Sequence, residues 1–161
     1  MSLVLLVWVG CLASCSAGSA DLAIATTFDV CTPIVVDVPD ATAEQLASLD
    51  DAIEMWRTRG VMMLSRTDAL TSAPHVELRF QHAAANFHGL YDDAAGVIYV
   101  NDVLGDRRER AVTIAHELGH SFGLLHVAPE VRASVMNPAN LTVLPTGDDE
   151  VALATIWGRC P

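Results

Sequence analysis

Apolar residues recur at every second position in some stretches of the chain and at every third or fourth in others. Ile34 to Val38 is a β-branched run stopped by Pro39, which predicts a short strand. Thr42-x-x-Gln45 has the form of a capping box. Behind it Leu46, Leu49, Ile53 and Trp56 share one helical face until Gly60, so a helix is expected over 42–59. Val61 to Ser65 is a candidate strand. Val76, Leu78 and Phe80 alternate with Glu77 and Arg79 as in a half-buried strand, and Val97-Ile98-Tyr99-Val100 forms another after a turn at Asp92-Asp93. Asp106-x-x-Glu109 opens a second helix, carried to about Gly123 by Val112, Ala115, Leu118 and Phe122. A third helix is expected over 148–157, where Asp148, Asp149 and Glu150 complement the positive end of the helix dipole.

Ahead of these elements lies an unbroken apolar run, Leu3 to Leu12, followed by small residues through Ala20. It suits a secretory signal and falls short of the roughly 18 residues that span a bilayer. Leu12-Ala13-Ser14-Cys15 resembles the lipobox of bacterial lipoproteins, which implies cleavage before Cys15 and a lipid on that cysteine. The organisation expected is a signal peptide over 1–14, a short linker over 15–30 and one domain over 31–161. Cleavage after Ala17 or Ala20, with free secretion, is the alternative. Either route places the protein outside the cytoplasm.

Cysteine usage fits that compartment. With Cys11 removed and Cys15 lipidated, Cys31 and Cys160 remain, and a single pair in an oxidising space is most simply a disulfide. It would close a long loop, worth about 5 kcal/mol at most in chain entropy. Two separately buried thiols are the other reading.

Composition narrows the partners. The 161 residues are 52% hydrophobic and 18% charged, enough for one domain with a sizeable core and unlike a disordered tail or coiled coil. All 9 basic residues are Arg against 20 acidic ones, and the net charge of -11 repels phosphate backbones and anionic headgroups. No nucleic-acid partner is expected, and membrane contact only through the lipid. The domain is expected to act as a monomer on a protein or peptide.

The chemistry is concentrated in His116-Glu117-Leu118-Gly119-His120-Ser121-Phe122-Gly123-Leu124-Leu125-His126. Helical positions four apart share a face, so His116 and His120 can turn ring nitrogens towards one ion. Glu117 can flank that ion without binding it and accept a proton from water. Gly123 lets the chain leave the helix in a conformation closed to other residues, returning His126 as a third ligand. Three protein ligands with one open position make a catalytic rather than a closed zinc site. Chance assembly of this pattern has odds on the order of 10⁻⁵.

These residues resemble the metzincin zinc endopeptidases, whose pattern is H-E-x-x-H-x-x-G-x-x-H followed by a Met-turn. Ser134-Val135-Met136-Asn137-Pro138 stands where that turn belongs, with Met136 implied beneath the metal. Thr146-Gly147-Asp148-Asp149-Glu150 and Ile156-Trp157-Gly158 are similar to the C-terminal helix of the matrixin branch, although Val127 replaces the usual Ser or Thr. The resemblance implies an α+β domain with a small, twisted, mostly parallel sheet, an antiparallel edge strand, an active-site helix and a C-terminal helix. It implies one catalytic Zn2+, with Glu117 as general base for peptide hydrolysis. The pattern also suits a non-catalytic zinc-binding module, which would not need Glu117, or a zinc hydrolase of another substrate.

Further expectations follow. Substrate should align along an edge strand, for which 97–101 is the candidate, and 137–145, including Pro138 and Leu141, should wall the pocket. No cysteine switch is recognised, so latency through a thiolate on zinc is not expected. His75, His82 and His88 read as surface or turn residues, and Asp92-Asp93 as a solvated turn rather than a Ca2+ site.

Overall fold

The computed structural model describes residues 24–66 and 72–160. The signal segment and Cys15 lie outside the described residues. In chain order the elements are β1 (Ile34–Asp37), α1 (Ala43–Arg57), β2 (Leu64–Ser65), β3 (His75–Gln81), β4 (Gly89–Asp92), β5 (Val97–Asn101), α2 (Arg107–Ser121) and α3 (Gly147–Trp157).

Local chemistry sets the helix boundaries. The Thr42 hydroxyl accepts the Gln45 N–H, and the Gln45 side chain accepts the Thr42 N–H, giving the expected capping box. Asp106 caps α2 by accepting the N–H groups of Arg108 and Glu109. A second capping box, Thr146 with Asp149, opens α3.

The five strands run in the order β2-β1-β3-β5-β4, parallel except for β4, which pairs antiparallel with β5. This is the α+β arrangement, with an antiparallel edge, that the motifs implied. Alternation along β3 sends Val76 and Leu78 into the core and leaves Arg79 exposed. Ile34, Val36, Ile98 and Val100 join them, and Leu49, Ile53, Trp56, Ile114 and Leu118 of α1 and α2 close the core from the helical side. The Trp56 indole donates to the Ala115 carbonyl at 2.9 Å and meets the Phe122 ring edge-on at 5.4 Å, fixing α1 against α2.

Two sequence expectations are corrected. Val61 to Ser65 yields only the two-residue β2, because the chain turns at Met62 and Met63. Residues 97–101 are not an edge: β5 is flanked by β3 and β4, and the edge on that side is β4, which the sequence pattern did not mark.

Cys31 and Cys160 are disulfide-bonded, with Cα atoms 4.9 Å apart and a sequence separation of 129. Residues 24–30, assigned to a linker by sequence, lie against the domain. Ala25 N–H donates to Asp93 and Phe28 N–H to the Ser121 carbonyl, Thr26 accepts from the Tyr91 hydroxyl, and Val30 is buried. Among the described residues no helix is long and apolar enough to cross a membrane.

Candidate active site

Helix α2 presents His116 and His120 one turn apart, and Gly123, at φ 96°, turns the chain out of the helix in a conformation that favours glycine. Leu124 N–H then closes onto the Gly119 carbonyl at 2.9 Å, and Val127 N–H donates to the Met136 carbonyl at 3.0 Å, which holds His126 opposite the helix. The outcome is a convergence of three rings. The Nε2 atoms of His116 and His126 are 3.1 Å apart and those of His120 and His126 are 3.2 Å apart.

Each helical imidazole is oriented from behind. Nδ1 of His116 lies 2.6 Å from the Val135 carbonyl, and Nδ1 of His120 lies 2.8 Å from the Leu124 carbonyl. A carbonyl only accepts, so both Nδ1 atoms carry the proton and both Nε2 lone pairs face the cluster. Burial holds these rings to the neutral form: it lowers the pKa of His116, and burial together with the neighbouring His116 brings His120 down to about 4. Lone pairs gathered this closely repel one another unless a cation sits between them. Zinc with nitrogens at about 2.0–2.1 Å in tetrahedral geometry sets its ligands about 3.3 Å apart, so the donor set fits the ion.

Met136 packs against Gly119 of α2. It is fully buried, and a Cβ on Gly119 would collide with its Sδ atom, so glycine at 119 is what admits the thioether against α2. The turn carrying Met136 is locked by Asp149, whose carboxylate accepts from the Ser134 hydroxyl, Val135 N–H and Thr146 N–H. Asp149 stands in the first turn of α3, as its fit to the helix dipole predicts, and it is also completely buried, which that pattern does not reveal. Asn137 and Asn140, within the stretch expected to wall the pocket, brace the same segment. Asn137 donates to the Val127 and Arg132 carbonyls, and Asn140 to those of Val135 and Val143.

Glu117 stands beside the triad at the floor of a cleft of about 390 Å³, lined among others by His88, Gly89, Leu90, Pro138 and Asn140. Burial pushes its carboxyl up to about 8, opposed by a hydrogen bond from the Tyr91 backbone. Strand β4 passes so close that a Cβ on Gly89 would be 2.8 Å from Glu117 Oε1 and 2.9 Å from Thr113 Cγ2. Only glycine fits there. Gly89 and Thr113 are site residues that no sequence motif marks, since their roles arise from β4 crossing α2.

The remaining expectations divide. Pro138 lines the cleft, but Leu141 turns away to pack on the core. His88 also lines the cleft rather than an outer turn, although it is not part of the His116, His120 and His126 group. His75 pairs with Asp37 and His82 with Asp102 at the surface. Asp92 accepts the N–H groups of Ala94 and Ala95, and Asp93 accepts that of Ala25, so these carboxylates serve their own turn and its neighbour, and nothing there supports Ca2+.

No protein-family model matches the sequence, and no curated protein matches it. Among solved structures, that of myroilysin is similar in fold, with a TM-score of 0.58 at 15% identity over 86% of this chain and 99% of the other.

Proposed function

We propose that the chain is a zinc-dependent endopeptidase of metzincin type, close to the matrixins, working outside the cytoplasm on protein or peptide substrates as a monomer, with Cys15 as its lipid anchor. The observation that carries this reading is the convergence of three Nε2 donors within 4.8 Å of one another, beside a buried carboxylate and open to a cleft. A purely structural zinc site needs neither the carboxylate nor the cleft. The fold shared with myroilysin and the disulfide support it further.

His116, His120 and His126 would hold the ion, which when bound makes water acidic enough to deprotonate near pH 7 and polarises a carbonyl. Glu117 takes the proton from the attacking water and delivers it to the leaving amine. The cation alongside favours the charged form of Glu117, offsetting the effect of burial. β4 has one strand neighbour, so alternate main-chain groups face the cleft, and an extended peptide can add there as a further strand.

The test is to load the exported domain with zinc and assay quenched peptide libraries with and without a chelator. Glu117→Gln should retain one zinc per chain and lose about 10²–10⁴-fold in turnover, whereas His116→Ala, His120→Ala and His126→Ala should each lose the metal. Full metal content in all three histidine variants would sink the zinc site. Undiminished turnover in Glu117→Gln would remove Glu117 as the base.

A further inference from the structure

Thr113 lies on α2 one turn before Glu117. It is 2% exposed, and among the described residues its Oγ1 has no hydrogen-bond partner although it is shielded from solvent. Other helical hydroxyls in the chain behave differently: Ser48 donates to the Glu44 carbonyl, Ser121 to that of Leu118 and Thr155 to that of Val151. Thr113 forgoes this back-bond in an interior where an unmade hydrogen bond is costly. Its methyl faces Gly89, where Glu117 Oε1 also sits: the place a Cβ would occupy on Gly89 is 2.9 Å from Thr113 Cγ2 and 2.8 Å from Glu117 Oε1. Because Thr113 lines the cleft while Oγ1 is covered, the group presented to the cleft is this methyl.

Threonine in a helix divides between two χ1 rotamers. Passing from one staggered well to the next moves the hydroxyl into the methyl's place and the methyl into that of Hβ, and it breaks no hydrogen bond, because Oγ1 has none to lose. We propose that Thr113 is a positioning residue for Glu117: rotation about χ1 carries the hydroxyl into the place of the methyl, where it donates to the Glu117 carboxylate and aims it into the cleft. Gly89 of β4 packs against the same carboxylate, so it would be confined by the strand and held from its own helix. A carboxylate held from two directions keeps its reacting oxygen in place, and small misplacements at a reacting centre are expensive in rate.

The inference rests on the peptidase reading only for its kinetic test. Thr113→Val keeps the shape and the β-branch but removes the donor, and Thr113→Ser keeps the donor. In zinc-loaded protein, Thr113→Val should lower kcat about tenfold for all peptides with KM unchanged, and Thr113→Ser should restore it to within about twofold. The thermal midpoint of Thr113→Val should not fall below that of the parent, because the resting hydroxyl has no partner. Unchanged kcat, a lowered midpoint, or a loss confined to peptides with polar side chains would each overturn the proposal, the last by making the hydroxyl a reader of substrate. Methyl three-bond couplings in labelled protein give the Thr113 χ1 populations without any turnover. They should shift between parent and Glu117→Ala, and identical populations would overturn the positioning role. A parent that cleaves no peptide yet shows this shift would refute the peptidase reading alone.

Discussion

The two walls of the cleft are held by interactions of different reach. On the α2 side, His120 is oriented by a carbonyl four residues away and His116 by one nineteen residues away. On the β4 side, the bonds that tie residues 24–28 to the strand and its turn span 68 residues at Ala25–Asp93 and 65 at Tyr91–Thr26. The first wall is assembled by helical spacing and a turn, so it accompanies its own segment of sequence. The second is complete only once residues 24–28 have docked on β4 and its turn, yet it sets how much room Glu117 has. A site of this kind has ligands fixed locally and a general base fixed globally.

Substitutions that load one wall at a time should separate these contributions. The largest effect is expected at Asp149, which is completely buried and accepts four bonds. Asp149→Ala takes the acceptor from two hydroxyls, those of Ser134 and Thr146, and from two N–H groups, and calorimetry should record a loss of about 3 kcal/mol. Zinc affinity should fall with it, because the Val135 carbonyl under His116 belongs to the same turn. A variant with unaltered stability would mean that the turn holds its shape without α3.

Gly89→Ala strikes the opposite wall. Its Cβ must push Glu117 and Thr113 aside, so peptide turnover should fall about 10²-fold while zinc content stays at one per chain. Metal loss in this variant would contradict the division of labour between the walls.

The smallest effect concerns Tyr91, whose hydroxyl donates to the Thr26 carbonyl at 2.8 Å. Tyr91→Phe should cost about 1 kcal/mol. Burial, reinforced by Asp93 and Asp92, pushes this phenol up to about 12 from its ordinary 10. A raised folded pKa means that the stabilisation is complete below pH 10 and is lost as pH rises through about 12. Tyrosinate absorbance should therefore show a late step near pH 12 that disappears in Tyr91→Phe; a titration already complete near the ordinary value would show that this corner is open to water.

The same contrast in reach explains what could be read in advance. Thr42 with Gln45, the triad spacing and Gly123 are local patterns, and each stands in the structure where the sequence placed it. The four residues Gly89-Leu90-Tyr91-Asp92 carry no diagnostic alternation, and being an edge is a property of the partners a strand lacks, which no short window encodes. The burial of Asp149 is hidden for a related reason: an acid in the first turn of a helix looks the same in sequence whether solvent or Ser134 lies opposite it. Leu141 was placed in the pocket by proximity to Pro138 and faces the core instead.

The bridge between Cys31 and Cys160 turns the intervening polypeptide into a covalent ring. A ring must be cut twice before any piece can leave. One nick in a loop between those residues converts the ring into an open chain whose two new ends remain attached to the same body, with sheet and helices still able to hold their contacts. For a protein exposed to hydrolytic surroundings, a first cut therefore adds only one water to the mass under non-reducing conditions, and only reduction releases the fragments.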